Sequence, residues 1–237
     1  MGTAERKQKE KEERESLFLE KAAELIRHEG LLNLQMARLA EACDYSTGTL
    51  YQHFSSKEDL LVAMAERSTQ DHIDVFRRAA AWNAGTRDRM FAIAVGDVYF
   101  AKKNPEHAKL MQYVFAEAVW DNASPARRER LLGQCQPITE IINRLVDEAC
   151  ERGDLRPNGL RPMELALGPW CLCEGMHGLL HTQGLLESCQ VKQPEALLYL
   201  HVQILLNGMG WKPLLDPVAP EAIAGRVAAI HREVFDA

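Results

Sequence analysis

Apolar residues recur along this chain at intervals of three and four, not two, and the pattern is cut only by short clusters of Gly, Pro, Asn and Ser. That periodicity predicts an all-α fold. Phe18, Ala22, Leu25 and Ile26 form one apolar stripe that closes at Gly30, where a glycine suits a helix C-terminus, so a first helix is expected from about Ser16. Short helices are expected over 34–42 and 47–53, the second capped by Ser46, and Ser55 or Ser56 caps a longer one over 57–82. Beyond these the spacing predicts helices over 86–103, 105–120, 125–152, 161–186, 194–208 and 220–235. Several have Pro near the start, where a missing amide hydrogen costs nothing.

The segments at 161–186 and 194–208 are apolar nearly all round, so each must be covered on more than one side. One small domain rarely achieves that alone. The pair is half of a four-helix bundle that a second copy of the chain completes, which predicts a homodimer through these two segments.

With 46% hydrophobic and 26% charged residues over 237 positions, the chain can bury a full core and is neither disordered nor collagen-like. No apolar run reaches the roughly 18 residues of a membrane span, since Leu197 to Leu206 is broken by His201 and Gln203. The first fifteen residues set Arg6, Lys7, Lys9, Lys11 and Arg14 against Glu5, Glu10, Glu12, Glu13 and Glu15 with no apolar stretch behind them, unlike a secretory signal. A cytoplasmic protein is expected. Six cysteines are too sparse for a disulfide scaffold, and Cys43, Cys150 and Cys171 read as small hydrophobes within helices. The net charge of −6 argues against a protein that coats nucleic acid indiscriminately, so any DNA site must be local.

Such a site is legible between Met36 and Leu61: a helix, a tight turn at Cys43 to Tyr45, then a helix whose outward residues are small or hydrogen-bonding. In a helix-turn-helix the second helix enters the major groove with its N-terminal residues on base edges, here Thr47, Gly48 and Thr49. Leu50 and Phe54 face the core, while Tyr51, Gln52 and His53 are expected to rotate outward toward phosphate or base edges. Lys57 lies in the first turn of the next helix, where a cation opposes the helix dipole. That placement makes sense if Lys57 neutralises a phosphate held there.

These residues carry a resemblance to the TetR family of bacterial transcription regulators. Leu39-Ala40, the turn at 43–45, the run Thr49-Leu50-Tyr51-Gln52-His53-Phe54, then Lys57 and Leu60-Leu61 resemble that family's N-terminal pattern across about residues 16–62. The resemblance implies a charged arm at 1–15, a three-helix DNA-binding domain at 16–62, and a larger helical domain at 63–237 that dimerises and binds a small-molecule effector. It assigns Tyr51, His53 and Lys57 to phosphates and Gln35, Thr47, Gly48 and Thr49 to the groove. Two positions depart from the pattern. Asp44 stands where the family's turn has glycine, and Asp tolerates the left-handed conformation at some cost. Leu34 replaces the usual Thr, which leaves Asn33 as the expected cap and Gln35 as the first polar side chain facing DNA. Residues 1–62 carry more carboxylates than basic groups, so affinity must come from a few placed contacts.

The helical domain offers less. Phe91, Tyr99, Phe100, Met111, Phe115 and Trp120 are core residues or the wall of an apolar cavity between helices. Asp97, Glu117 and Glu174 are carboxylates in apolar neighbourhoods, either on solvated faces or orienting an effector. Trp170 and His177 complete the candidate effector set with Glu117 and Glu174, for a small and largely apolar molecule. Cys173, His177 and His181 share one helix face at spacings of four, a soft-metal pattern that small residues packing in a buried helix pair explain as well. No metal and no cofactor are expected. An all-α enzyme is the alternative from another class, as is a metal-responsive sensor, but the chain holds no nucleophile elbow, phosphate loop or dinucleotide glycine motif. The composite expectation is a non-enzymatic repressor released from a palindromic operator by an effector.

Overall fold

The computed structural model describes residues 2–216 and 219–236; Met1 and Ala237, the outer limits of the expected arm and helical domain, lie outside the described residues. Twelve α-helices and no strands are found among them: α1 (Thr3–Glu29), α2 (Met36–Ala42), α3 (Thr47–Tyr51), α4 (Lys57–Ala81), α5 (Thr86–Lys103), α6 (Pro105–Val114), α7 (Glu117–Trp120), α8 (Pro125–Glu151), α9 (Pro162–His181), α10 (Leu185–Ser188), α11 (Pro194–Gly208) and α12 (Pro220–Ile230). No helix among the described residues is long and apolar enough to cross a membrane. The chain forms two compact units, Met1–Ser68 with Lys109–Gln134, and Thr69–Ala108 with Cys135–Ala237.

In the N-terminal unit Phe18, Ala22, Leu39, Leu50, Phe54, Leu60 and Leu61 are fully buried, which is the apolar face the periodicity marks. The helix α1 is longer than the stripe suggests. It begins at Thr3, because the alternating charges of the arm sit at helical spacing and pair as Arg6–Glu10 (2.9 Å) and Lys9–Glu13 (3.8 Å). A 3-10 turn at Leu31–Asn33 follows, and Asn33 does not cap α2. Its amide donates to the Glu29 carbonyl at 2.6 Å, closing α1 instead, while Gln35 occupies the N-cap position of α2 without a side-chain cap bond. Ser46 does cap α3, accepting the Thr49 amide at 3.1 Å, and Ser56 accepts the Asp59 amide at 3.0 Å. Ser46→Ala is expected to destabilise this unit by about 1 kcal/mol, read by chemical denaturation.

The C-terminal unit packs α9 and α11 together and both against α5. Gly168 permits the close approach of α9 and α11: a methyl group there would lie 2.8 Å from Leu205 Cδ2. Three helices differ from expectation. The segment expected over 105–120 breaks after Val114, where Ala116 turns extended (ψ 137°) and starts α7. The segment over 161–186 ends at His181, and left-handed Gly184 (φ 80°) starts α10. The last helix widens into a π-turn at His231–Phe235. Gly96 makes room for that turn, since a Cβ there would meet Phe235 and Val75 at 2.7 Å. Tyr99 then stacks on Phe235 with ring centroids 5.0 Å apart.

A buried cation organises one end of this unit. Arg87 is fully buried and donates to the Trp211 carbonyl (2.6 Å), the Gln203 carbonyl (3.2 Å) and Gln203 Oε1 (2.7 Å). Beside it Trp211 Nε1 donates to Thr86 Oγ1 at 3.0 Å, and Thr86 donates to Asp154 at 2.8 Å. Burial draws the Arg87 guanidinium down to about 10, still charged at neutral pH.

Candidate nucleic-acid interface

Helices α2 and α3 are joined by Asp44 in the left-handed region (φ 58°), the conformation the tight turn demands. Leu50 anchors the inner side of α3, which leaves Thr47, Gly48, Tyr51 and Gln52 exposed on its outer side, Tyr51 at 48%. Thr49 is half-buried, its hydroxyl 2.9 Å from Ser46 Oγ, and so serves the cap as well as the surface. Gln35 is exposed at the start of α2. Lys57 reaches across to the Leu32 carbonyl at 3.1 Å. Its ammonium is thereby held over the end of the 3-10 turn, a structural reason for a cation in the first turn of α4 that the spacing alone did not reveal.

His53 does not rotate outward. Its side chain is 4% exposed, packs edge-on against Phe18 (5.3 Å between centroids) and lies 3.9 Å from Glu15. Burial lowers the affinity of this imidazole for a proton more than Glu15 raises it. The reason is geometric: α3 ends at Tyr51, so His53 no longer follows the helical rotation assumed for it.

Two buried groups that sequence reasoning missed hold the interface in place. Arg127, on α8, pairs with Glu15 at 2.7 Å and Glu66 at 3.4 Å, and donates to the His53 carbonyl at 3.4 Å just beyond α3. Arg130 adds a second cation to Glu66 at 3.1 Å. Burial raises the Glu66 carboxyl despite both. Asp59 accepts the Ser55 and Ser124 amides at 3.1 and 2.7 Å. Burial alone would raise its carboxyl, but these bonds and those from the serine hydroxyls outweigh it and hold the group below its usual range. Apart from Ser55–Asp59, four residues apart, no local sequence signal marks these pairs, because the partners lie 61 to 112 residues apart.

The ten effector candidates divide between the two units. Met111, Phe115, Glu117 and Trp120 belong to the N-terminal unit, where Phe115 is 48% exposed and its ring lies 5.2 Å from Trp120. Phe91, Tyr99, Phe100, Trp170, Glu174 and His177 belong to the C-terminal unit. There Phe91, Phe100 and His177 are buried, while Trp170 is 53% exposed and donates to Glu174 at 3.2 Å. The expected stripe of Cys173, His177 and His181 does not converge: the first two are buried and His181 is exposed. Among the described residues no three His, Cys, Asp or Glu side chains come together to hold a metal ion. What converges instead is Asp97, on neither solvated face nor open site, with His72 Nε2 at 3.0 Å and His177 Nε2 at 2.7 Å.

The comparisons with known proteins agree with this geometry. Residues 18–64 match the family model described as bacterial regulatory proteins, tetR family, a span that holds α2, the turn, α3 and all eight candidate DNA-contacting residues. No curated protein matches the chain. Among solved structures, a regulatory protein in the tetR family from Rhodococcus is similar at 18% identity with a TM-score of 0.61, over 85% of this chain and 98% of that one. The TetR-family regulator PfmR from Thermus thermophilus is similar at 17% identity and a TM-score of 0.58, over 80% and 97%. The regulator FadR from Bacillus subtilis, in complex with stearoyl-CoA, is similar at 16% identity and a TM-score of 0.60, over 81% and 98%. The chain thus carries a tetR-family segment around α2, the turn and α3, and the fold of these regulators along its length.

Proposed function

We propose that the protein is a cytoplasmic repressor that binds a palindromic operator as a homodimer and is released by a small, largely apolar effector. The observation that carries the DNA reading is the open polar side of α3, where Thr47, Gly48, Tyr51 and Gln52 are exposed beside Gln35 and Lys57 while Leu50 is locked in the core. Thr47, Gly48 and Thr49 with Gln35 are assigned to the groove, and Tyr51, Gln52 and Lys57 to phosphates or base edges. His53 contributes through its backbone position at the end of α3 rather than through its buried ring.

Exposed Leu167 and Trp170 on α9, with Leu197 and Ile204 on α11, support dimerisation through these two helices, because a patch of this kind is costly to leave in water. Two reading heads fit one duplex when they match half-sites about 34 Å apart, one helical turn. An effector that binds better to a form with another spacing weakens DNA binding by that difference in affinity. For the effector, the candidates of the C-terminal unit are retained. The stearoyl-CoA bound by the FadR of similar fold supports an apolar ligand class.

The test is a titration of the full chain against DNA from upstream of its own gene, at two salt concentrations, with a scrambled duplex as control. Salt-sensitive binding that prefers the native duplex is expected. Equal, weak binding to both duplexes, with no small molecule found in the protein by native mass spectrometry, would count against the operator reading.

A further inference from the structure

Besides its place among the effector candidates, His177 belongs to a polar cluster that the DNA-binding reading leaves unused. Asp97, on α5, is largely buried in the C-terminal unit, its side chain 13% exposed, and its two oxygens take one imidazole each, His72 from α4 and His177 from α9. His72 is stacked on Phe100 at 4.5 Å with 10° between the planes, and Phe100 meets the ring of His107 from α6 edge-on at 5.0 Å. The carboxylate therefore ties α4 to α9 through α5, and it is the acceptor in both bonds. Burial would neutralise Asp97, but the bonds from His177 and His72 overcome that and hold it ionised. A buried anion of this kind is strongly destabilising unless a neighbouring charge balances it.

We propose that the His72–Asp97–His177 bridge is a proton-operated latch of the C-terminal unit, closed while the His177 imidazole is charged and loosened when it gives up that proton, so that alkaline conditions lower operator affinity. The link to the operator rests on the repressor reading above, whereas the latch itself rests on the buried bridge.

The groups facing His177 single it out. Asp97 on α5, Glu174 on its own helix and Glu195 on α11 act on it, the last paired with Lys102 at 2.5 Å, while His72, Cys173 and Tyr199 surround Asp97. Desolvation opposes the charge on His177, but Asp97 and these carboxylates outweigh it and raise the imidazole above its ordinary value. Burial pushes the Cys173 thiol and the Tyr199 phenol up, out of the physiological range. His107 goes the other way, drawn by burial down to about 4, and stays neutral. Because His177 is raised in the folded state, its contribution is complete below the unfolded value of about 6.5 and is lost as pH climbs through the folded one. His107 acts in the opposite sense, its contribution fading as pH falls from about 6.5 toward 4.

The experiment follows the full-length protein between about pH 6 and pH 9 by imidazole NMR and by hydrogen exchange corrected for intrinsic rates, alongside operator titrations, for wild type and His177→Gln. In wild type an imidazole titrating above the ordinary value is expected, with protection of α9 falling by about tenfold for each unit that His177 is raised. Operator affinity is expected to fall over the same interval, while His177→Gln gives low protection and no such pH response. An imidazole at position 177 that titrates at or below its ordinary value overturns the latch, as does an equal loss of protection in wild type and variant. If the variant does not fold, the wild-type imidazole titration decides alone. A protection change of the expected kind in a protein with no operator affinity at any pH upholds the latch and removes the repressor reading instead.

Discussion

Specific operator binding is expected to be lost when Tyr51→Ala and Lys57→Met are combined, with the helical content and the oligomeric state of the protein unchanged. Tyr51 is 48% exposed on α3 and is not among the buried core residues, so its removal is expected to act on the partner more than on the core. Lys57 spends one of its three donors on the Leu32 carbonyl and keeps the others for an anion, with its charge fixed over the end of the 3-10 turn. Methionine keeps the stem and removes the charge. Each change is expected to weaken binding at least about tenfold, and the loss of a phosphate contact lowers the salt slope by about one. Anisotropy titrations at several salt concentrations measure both, and sedimentation checks the oligomer. Unchanged affinity with an unchanged salt slope in the double variant would remove α3 from the DNA interface.

The largest loss of stability is expected from Arg87→Ala. The guanidinium satisfies the carbonyls of Gln203 and Trp211 and the Gln203 side chain at once, in a place that water does not reach. Alanine leaves those acceptors buried without a donor and opens a cavity between α5 and the end of α11. The expected cost is about 3 kcal/mol or more, which for a chain of this size lowers the melting temperature by roughly 6–12 °C. Arg87→Lys is expected to recover only part of it, because an ammonium cannot span three acceptors as a planar fork does. Calorimetry on the three proteins measures the series, and a melting temperature for Arg87→Ala within a degree or two of wild type would refute the assigned role.

Arg87 also illustrates what was not legible in the sequence. In the run Thr86-Arg87-Asp88-Arg89 it reads as one more charge in the first turn of a surface helix, yet its partners lie 116 and 124 residues further along. The helices over 86–103 and 194–208 were legible to the residue, because Asn104 and Pro105 close one and Pro194 opens the other. The cap at Ser46 and the left-handed Asp44 were legible too, since both follow from local backbone chemistry. The inward turn of His53 was not, because it depends on where a five-residue helix stops. Asp97 stood out as a carboxylate among apolar residues, but its partners His72 and His177, 25 and 80 residues away, could be found only once the helices were packed. Local rules thus recovered α3 with its cap and turn, and long-range polar pairs supplied what holds it.

The unit that carries the reading helix is assembled from two stretches of chain separated by forty residues, Met1–Ser68 and Lys109–Gln134. The second stretch is a buttress: Ser124 completes the shell of Asp59, and Arg127 clasps Glu15, Glu66 and the carbonyl that follows α3. A reading head built this way is not a portable cassette. Exchanging residues 1–62 with those of a relative would carry off Glu15, Asp59 and the carbonyl after α3 while leaving Arg127 and Ser124 behind, so substitutions on the outer side of α3 disturb this unit less than the exchange of whole segments.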